Sequence, residues 1–355
     1  MVMKNHIAVT IKDIAKSAGV SHTTVSRALA DSPLINAETK TRIQAISNEM
    51  GYSTNYTARS LVRGKSNLFG LILPSLRNPF MAELSHQIEK FARSEQYDIL
   101  ICNSNELPDQ EEQMLRLLLG RQVDGIIVFP VASETDERLS RLAPPNVPIL
   151  FLNEPTDNAP GNHIATNNFN GGVLGTEYLY SLGHRNILYF GPKPCRTSQV
   201  RRQDGFITSC SQLGIIPNLY YEIVEQQQRT SLFDSAMGDL NLGCEMATNL
   251  FRQNKHKDFS AFFARTDMMA LGIIKAANEC GIDIPGDISL IGYDDISYAS
   301  LPGINLTTIR QPSCEMAKQG VEGLVSIISG KCDTEFRRYL NPELIVRNTC
   351  KSLKE

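Results

Sequence analysis

The sequence predicts an all-α N-terminal unit followed by a larger α/β core that divides into two lobes. Three observations predict this fold class. Residues 10–51 place apolar side chains at helical spacing in three short segments separated by turn-forming residues. From Asn67 onward, continuous apolar runs alternate with helical segments, a pattern typical of parallel sheets covered on both faces. The chain has 355 residues, and the apolar runs are too many for one comfortable sheet, so we expect two lobes.

The three N-terminal helices are marked by their capping and stop residues. Thr10 predicts the start of the first helix and Gly19 its end. Ser21 caps the second helix, and the third begins near Asn36 and stops at Gly51. The apolar residues expected to face a common core are Ile11, Ile14, Ala15, Ala18, Val25, Ala28, Leu29, Ile43, Ile46 and Met50.

The core is predicted to alternate strands with helices. The apolar runs predict strands at residues 68–73, 99–102, 125–129, 148–152, 186–190, 261–263 and 289–292. Helical spacing predicts helices at residues 81–95, 109–119, 171–182, 200–213, 268–280 and 312–328.

The first two helices, joined by Ala18-Gly19-Val20-Ser21, form a helix-turn-helix. In this motif the second helix lies in the major groove of DNA, and its N-terminal residues reach base edges. Arg27 can pair in bidentate fashion with guanine, which is worth about 1–3 kcal/mol of discrimination, whereas hydroxyl side chains suit phosphates. The predicted DNA-contacting residues of this unit are Thr10, Ser21, His22, Thr23, Thr24, Ser26 and Arg27. A purely structural helical unit is the alternative.

Charge is distributed unevenly along the chain. Residues 1–65 hold nine Lys/Arg and four Asp/Glu, a net charge of +5, so the remaining 290 residues carry −8 of the overall −3. A basic end on an acidic body is typical of a protein that contacts nucleic acid with one end. A solvated basic surface would give the same balance.

The N-terminal sequence resembles the LacI/GalR family of bacterial transcription regulators over residues 9–65. The resemblance is carried by VTIKDIAKSAGVSHTTVSRAL, NAETKTRIQAISNEMGY and NYTARSLVRGKS. It implies an all-α helix-turn-helix headpiece followed by an α/β two-lobed core of the periplasmic-binding-protein-like type I fold, with parallel sheets flanked by helices. The implied boundaries are 1–52 for the headpiece, 53–65 for a hinge and 66–355 for an effector-binding core, with lobes at about 66–165 with 313–340 and about 166–312 with 341–355.

The resemblance also gives the hinge a role. In that family the segment similar to NYTARSLVRG forms a helix on operator DNA, and the two hinge helices of a homodimer enter the minor groove. By motif position Leu61 wedges open the central base step with Ala58 beside it, while Asn55, Arg59 and Arg63 contact the groove or phosphates. Ordinary packing of Leu61 in the hinge is the alternative.

The core resembles the same family in segments that include FGLILPSLRNPFMAEL, RQVDGIIVFP, VRRQDGF, TDMMALG, IPGDISLIGYDD and LTTIRQP. This implies a small-molecule, sugar-like effector in the cleft between the lobes. Amide, carboxylate and guanidinium groups can together satisfy sugar hydroxyls, and an aromatic ring can stack on an apolar ligand face. The effector-binding residues implied by motif position are Asn78, Phe80, Asn153, Arg202, Asp267, Asp294 and Gln311. Asp267 could instead cap the helix that follows it, and Asp294 with Asp295 could cap a turn.

Two positions depart from the family pattern. Thr266 stands where much of the family has Asn, and Asn167 stands where Asp is usual. Both departures argue against a simple lactose-like or purine-like ligand. Residues 225–243 align poorly and give no contact predictions.

Other function classes are disfavoured by what the sequence lacks. There is no GxSxG, Walker A, GxGxxG or HExxH motif, so neither an enzyme nor a cofactor is predicted. The eight Cys form no CxxC pair and no zinc-ligand spacing, so no metal site is expected. The N-terminus shows no secretion signal and no run approaches ~18 apolar residues, so we expect a cytoplasmic protein rather than an exported sugar receptor or a membrane protein. No leucine-heptad tail follows Arg347, which favours a dimer over a tetramer.

The predicted function is therefore a ligand-responsive, sequence-specific DNA-binding regulator. By resemblance it represses genes for carbohydrate uptake or catabolism, with double-stranded operator DNA, a sugar-like effector and a second copy of the chain as partners.

Overall fold

The computed structural model describes residues 9–29, 31–52, 65–155, 161–221, 238–331 and 335–354. The chain divides between Ser66 and Asn67 into an N-terminal unit and a core. The predicted hinge contacts Asn55, Ala58, Arg59, Leu61 and Arg63 lie outside the described residues. No helix in the described ranges is long and apolar enough to cross a membrane.

The N-terminal unit holds three helices: α1 (Ile11–Ala18), α2 (His22–Leu29) and α3 (Ala37–Glu49). The carboxylate of Asp13 accepts hydrogen bonds from the backbone N–H and the hydroxyl of Thr10, at 2.8 and 2.7 Å. Gly19 ends α1 with a φ of 65°, a left-handed conformation that glycine adopts without steric cost. Asn36 caps α3 by accepting from the backbone N–H of Thr39 at 2.8 Å. The predicted helix boundaries are thus confirmed within about two residues.

The three helices enclose one small hydrophobic core. Ile14, Val25 and Ile43, one residue from each helix, are fully buried at its centre. The remaining predicted apolar residues are buried or pack against this cluster, so the three predicted inner faces are confirmed.

The core alternates strands and helices along the chain. Its strands are β1 (Leu68–Leu73), β2 (Asp98–Asn103), β3 (Gly125–Val128), β4 (Ile149–Phe151), β5 (Asn162–Thr166), β6 (Ile187–Phe190), β7 (Asn218–Tyr220), β8 (Ala261–Ala264), β9 (Ser289–Asp294), β10 (Thr307–Arg310), β11 (Arg337–Leu340) and β12 (Glu343–Ile345). Its helices are α4 (Pro79–Ser94), α5 (Pro108–Gly120), α6 (Thr135–Leu142), α7 (Asn168–Ser181), α8 (Thr197–Gln212), α9 (Gly238–Arg252), α10 (Asp267–Cys280) and α11 (Ser313–Ile328).

The strands form two six-stranded sheets, and each sheet defines a lobe. The first lobe has the order β11-β5-β4-β3-β1-β2 and the second has the order β12-β10-β9-β8-β6-β7. All pairings are parallel except that of β10 with β12. The chain passes from one sheet to the other after β5, after β10 and between β11 and β12. The predicted α/β fold with two lobes is confirmed.

The central strands of both sheets are buried on both faces, whereas the edge strands are half exposed. Strands β3, β6, β8 and β9 are buried along their whole length. Edge strands β7, β11 and β12 contain only half-buried and exposed residues. The apolar pattern did not predict these three edge strands or strands β5 and β10, because they lack a continuous apolar run. Helices α6 and α9 were not predicted either.

Candidate DNA-reading helix and effector cleft

The outer face of α2 carries the polar side chains that the helix-turn-helix motif predicts. His22, Thr23, Ser26 and Arg27 are exposed, while Val25 on the opposite face is fully buried. The exposed set follows helical spacing, so these four side chains share one side of the helix. The headpiece therefore presents hydroxyl, imidazole and guanidinium groups to solvent on one short helix.

Hydroxyl side chains organise the start of the two motif helices. Ser21 Oγ accepts from the backbone N–H of Thr24 at 3.1 Å and lies 2.8 Å from the Thr24 hydroxyl. Thr10 is exposed and tied to Asp13, and its hydrogen bonds to the Asp13 carboxylate lower the pKa of that group. Both hydroxyl clusters lie at helix N-termini, where the first backbone N–H groups have no carbonyl partner within the helix and phosphate oxygens accept from such groups readily.

A cavity lies between the two lobes of the core. First-lobe residues that line it are Ser75, Arg77, Asn78, Phe80, Met81, Glu106, Phe129 and Val131. Second-lobe and crossover residues that line it are Pro192, Cys195, Arg196, Ser198, Gln199, Arg202, Gly238, Asp239, Leu242, Arg265, Thr266, Met268, Asp294 and Gln311. The structure thus brings together Asn78, Phe80, Arg202, Asp294 and Gln311, five of the residues implied by motif position.

The first-lobe wall of the cavity combines four apolar side chains with four polar or charged ones. Asn78 caps α4, and its side-chain oxygen accepts from the backbone N–H of Phe80 at 2.9 Å. This cap fixes the turn that places Phe80, which is buried beside Met81 and Phe129. The wall offers aromatic and thioether surface to a bound molecule.

Arg202 on α8 is held firmly on the opposite wall. Its guanidinium carbon lies 3.3 Å from the centre of the Tyr293 ring, and one terminal nitrogen donates to Asn168 Oδ1 at 3.1 Å. The other terminal nitrogen donates to the backbone carbonyl of Arg265. Stacking and these hydrogen bonds fix the plane of the guanidinium before any ligand arrives.

Gln311, which follows β10, links Asp294 at the end of β9 to Thr166 at the end of β5, where the chain crosses between the lobes. Gln311 Nε2 donates to Asp294 Oδ1 at 2.7 Å, and Gln311 Oε1 accepts from the Thr166 hydroxyl at 2.9 Å. Asp294 has a φ of 123°, a conformation that non-glycine residues rarely adopt and that tends to occur at binding sites. Burial raises the pKa of the Asp294 carboxyl, and the nearby Arg202 opposes this effect.

Asp267 does not line the cavity in the described structure, in contrast to its expected position. It is fully buried, and its two carboxylate oxygens accept from the Thr308 hydroxyl at 2.6 Å and the Ile296 backbone N–H at 2.9 Å. Burial raises the pKa of the Asp267 carboxyl. These contacts tie the start of α10 to β10 and to the turn after β9, whereas the cap of α10 is Thr266, whose hydroxyl accepts from the backbone N–H of Met269 at 3.3 Å.

Asn153 also lies away from the cavity lining. Its side-chain nitrogen donates to both carboxylate oxygens of Asp136, at 3.1 and 3.0 Å, and its oxygen lies 3.3 Å from His163 Nδ1. All three side chains are buried in the first lobe. The amide is therefore committed to a buried polar network rather than presented to the cleft.

Several lining residues were not predicted from motifs. Arg265 and Thr266 follow β8 directly, and side chains at the carboxyl ends of parallel strands commonly face a ligand site. Glu106 and Arg196 lie on loops of different lobes and form an ion pair across the cleft. The position after a strand end was a usable signal for the first pair, whereas no sequence pattern links the second pair.

Comparison with known proteins places both parts of the chain in one family. Residues 10–55 match the model for bacterial regulatory proteins of the lacI family, and residues 176–350 match that for a periplasmic binding protein-like domain. The transcriptional repressor PurR of Pasteurella multocida is 31% identical over 344 residues, which cover 97% of this chain and 99% of that protein. The chain belongs to the LacI family. The transcriptional regulator DegA of Bacillus subtilis is 32% identical over 97% of this chain and 98% of its own length.

Solved structures of LacI-family proteins match the whole architecture. The lac repressor dimer bound to operator and the anti-inducer ONPF aligns with a TM-score of 0.82 at 26% identity, covering 97% of this chain and 99% of that chain. The regulator CelR in complex with cellobiose aligns with a TM-score of 0.67 at 21% identity, over 96% and 99% of the two chains, which shows the shared fold alone. These relatives are named as regulators of transcription rather than as enzymes. This LacI-family protein is a DNA-binding transcriptional repressor with a ligand-binding core.

Proposed function

We propose that this LacI-family protein represses genes for carbohydrate uptake or catabolism and that a sugar-like effector in the interlobe cleft switches its affinity for operator DNA. The observation that carries the proposal is the cavity lined from both lobes by Asn78, Phe80, Arg202, Asp294 and Gln311. It combines an aromatic wall with fixed hydrogen-bonding groups, as a sugar with polar edges and apolar faces requires. The lac repressor, whose solved structure holds an anti-inducer, has the same architecture.

The proposed DNA interaction uses the headpiece, residues 1–52, and the hinge, residues 53–65. A homodimer places one α2 in the major groove of each half-site of a pseudo-palindromic operator. The exposed side chains of α2, with Arg27 foremost, read base edges, and the hinge residue Leu61 wedges the minor groove.

Switching requires two states of the core that differ in operator affinity. A ligand that contacts both walls of the cleft favours one relative position of the lobes, and that position decides whether paired hinge helices form. The coupling free energy needed is about 1–3 kcal/mol, the ordinary range for allosteric proteins.

The test of the DNA assignment compares two arginine variants. Arg27→Ala should weaken binding to the preferred operator by about 1–3 kcal/mol and relax the preference at one base position. Arg63→Ala, a hinge change expected to affect phosphate contacts, should weaken binding to all sequences alike. Both variants and the unmodified protein would be used to select from a pool of random-sequence duplexes, followed by gel-shift titration. An unaltered selected sequence for Arg27→Ala would show that α2 does not read bases through this residue.

A further inference from the structure

We propose that the effector carries an oxyanion, a carboxylate or a phosphate, which Arg265 binds on the second-lobe wall of the cleft. The proposal rests on the proposed function, because it names the chemical class of the molecule in the same cavity. It concerns a residue that the motif comparison did not single out.

Arg265 is buried in the cavity wall with few acceptors for its guanidinium. Its residue exposure is only 4%, and its side chain lines the cavity immediately before α10. The Nε–H has no hydrogen-bond partner in the structure. One terminal nitrogen reaches the Pro192 carbonyl oxygen at 3.5 Å, and the other forms an ion pair with Asp239 Oδ1 at 3.6 Å, which is longer than a hydrogen bond.

A guanidinium has five N–H donors, and burying it without acceptors is costly. The long contact to Pro192 and the distant carboxylate of Asp239 satisfy little of this demand. An oxyanion supplies charge and two or more acceptor oxygens in the planar geometry that a guanidinium matches, whereas a neutral hydroxyl supplies no charge. The donor set of Arg265 therefore favours an anionic ligand over a neutral one.

A second arginine supports the same conclusion independently. Arg202 also lines the cavity, is buried, and has an Nε–H without a hydrogen-bond partner. It donates to the backbone carbonyl of Arg265, so the two residues occupy adjoining parts of the wall. Each of these two buried arginines therefore keeps one unused Nε–H donor that an oxyanion can accept from.

The charges of the lining residues point the same way. The cavity is lined by four arginines and three carboxylates, namely Arg77, Arg196, Arg202, Arg265, Glu106, Asp239 and Asp294. Glu106 is already paired with Arg196. Asp239 forms an ion pair with Arg265 at 3.6 Å, and Asp294, whose pKa burial raises to about 6, lies near Arg202. The lining as a whole thus carries one more positive than negative charge.

The experiment uses full-length protein and ligands that differ only in the anionic group. Thermal shift followed by titration calorimetry would compare glucose with glucuronate and glucose 6-phosphate, galactose with galacturonate and galactose 1-phosphate, and ribose with ribose 5-phosphate, with hypoxanthine as a purine. We expect an anionic member of a set to bind at least tenfold more tightly than its neutral parent. The uronate and phosphate arms then distinguish carboxylate from phosphate.

Variants of Arg265 assign the effect to this residue. Arg265→Met should weaken binding of the anionic ligand about 10- to 100-fold, in line with loss of hydrogen bonds to a charged group. Arg265→Lys should retain part of the affinity. Arg252→Met, an exposed arginine on α9 that does not line the cavity, is the matched control and should bind normally. If Arg265→Met does not fold, the unmodified protein still tests the proposal, because the affinities of each neutral sugar and its anionic derivatives can be compared directly.

The outcomes separate this inference from the proposed function. If a neutral sugar binds tightly and its anionic derivatives bind no more tightly, the role of Arg265 is overturned, while the proposal of a sugar effector is retained. Binding of the purine alone, or of no member at millimolar concentration, overturns the sugar-like effector and the oxyanion with it. An anionic ligand whose affinity is unchanged in Arg265→Met also overturns the assignment.

Discussion

The pKa of Glu111 on α5 is set more by burial than by the hydrogen bonds and the arginine that pair with its carboxylate. Its carboxylate accepts from the Val131 backbone N–H at 2.9 Å, the Thr135 hydroxyl at 3.0 Å and an Arg138 terminal nitrogen at 2.8 Å. The residue is fully buried, and the loss of hydration raises its pKa to about 7 despite these partners. The protonated form is thus favoured more in the folded protein than in the unfolded chain.

The first prediction concerns the pH dependence of stability. Because the pKa of Glu111 is about 7 in the folded protein and its ordinary value is 4.5, its contribution to stability is fully present below pH 4.5 and is lost as the pH rises to about 7. The free energy of unfolding of the unmodified protein, relative to Glu111→Gln, should fall by about 2–3 kcal/mol over this range. Urea denaturation at pH 4.5, 6 and 7.5 measures the difference.

Glu112→Gln is the control for that measurement. Glu112 is the next residue, is only half buried, and pairs with Arg116 one helical turn away at 3.7 Å. Its substitution should give a difference that barely changes with pH. A flat profile for Glu111→Gln as well would mean that Arg138 keeps Glu111 ionised throughout.

At the same scale, motif position predicted which residue types meet in the cleft but not where each side chain points. Arg202 and Asp294 line the cavity, as expected. Asp267 and Asn153 turn to buried partners, because the Thr308 hydroxyl and the Asp136 carboxylate lie on neighbouring elements that a linear pattern does not reveal. Arg265 escaped prediction for the converse reason, since its importance lies in acceptors that are missing from its surroundings.

At the scale of elements, two glycines decide how α7 and α8 pack. A Cβ added at Gly172 would lie 2.1 Å from the Arg202 carbonyl oxygen, and one added at Gly205 would lie 2.0 Å from the Phe169 carbonyl oxygen. The helices approach so closely that backbone meets backbone. Because α8 carries Arg202, this contact also sets the position of the guanidinium in the cleft.

The second prediction is that Gly172→Ala destabilises the core and weakens effector binding together. The new methyl group must push α8 away from α7, which should cost about 1–3 kcal/mol of stability and displace Arg202 from its place over Tyr293. Thermal denaturation and effector titration on the same variant measure both effects.

Gly120→Ala provides the contrast within another helix. Gly120 ends α5, and a Cβ there meets nothing within 4 Å. The substitution should stabilise the protein by about 0.5–1 kcal/mol through lower chain entropy, with unchanged effector affinity. If Gly172→Ala stabilised the protein as much as Gly120→Ala does, helix propensity rather than close approach would govern position 172.

The apolar pattern predicted central elements better than peripheral ones, for a physical reason. Strands β1, β3 and β8 are covered on both faces and therefore appear as continuous apolar runs. Strand β10 is largely buried although its sequence is Thr-Thr-Ile-Arg. Its threonines can be buried because the Thr307 hydroxyl accepts from the backbone N–H of Arg347 and the Thr308 hydroxyl donates to Asp267. Polar residues that are buried through hydrogen bonds to distant segments do not produce an apolar pattern in the sequence, so such a strand is not predicted.

At the scale of the whole core, one ion pair spans the cleft. Arg196 precedes α8 in the second lobe, and its side chain pairs with Glu106 of the first lobe. Its Nε–H also donates to the first-lobe carbonyl of Val131 at 3.2 Å. Both side chains are more than four-fifths buried, so water screens the pair weakly. The lobes are thus joined across the ligand cavity by contacts that effector binding must accommodate.

The last prediction is that Arg196→Met shifts the core toward an open cleft. Loss of the charged hydrogen bonds should cost the closed form about 1–2 kcal/mol, which raises the open population about 5- to 30-fold. The protein has no Trp, so Phe129→Trp places one reporter in the cavity wall. Opening should hydrate this Trp and shift its fluorescence to longer wavelength. Arg310→Met is the matched control, since Arg310 pairs with Asp295 and Glu343 within the second lobe. A red shift of equal size in both variants would mean that loss of an arginine, rather than loss of the bridge between lobes, alters the cleft.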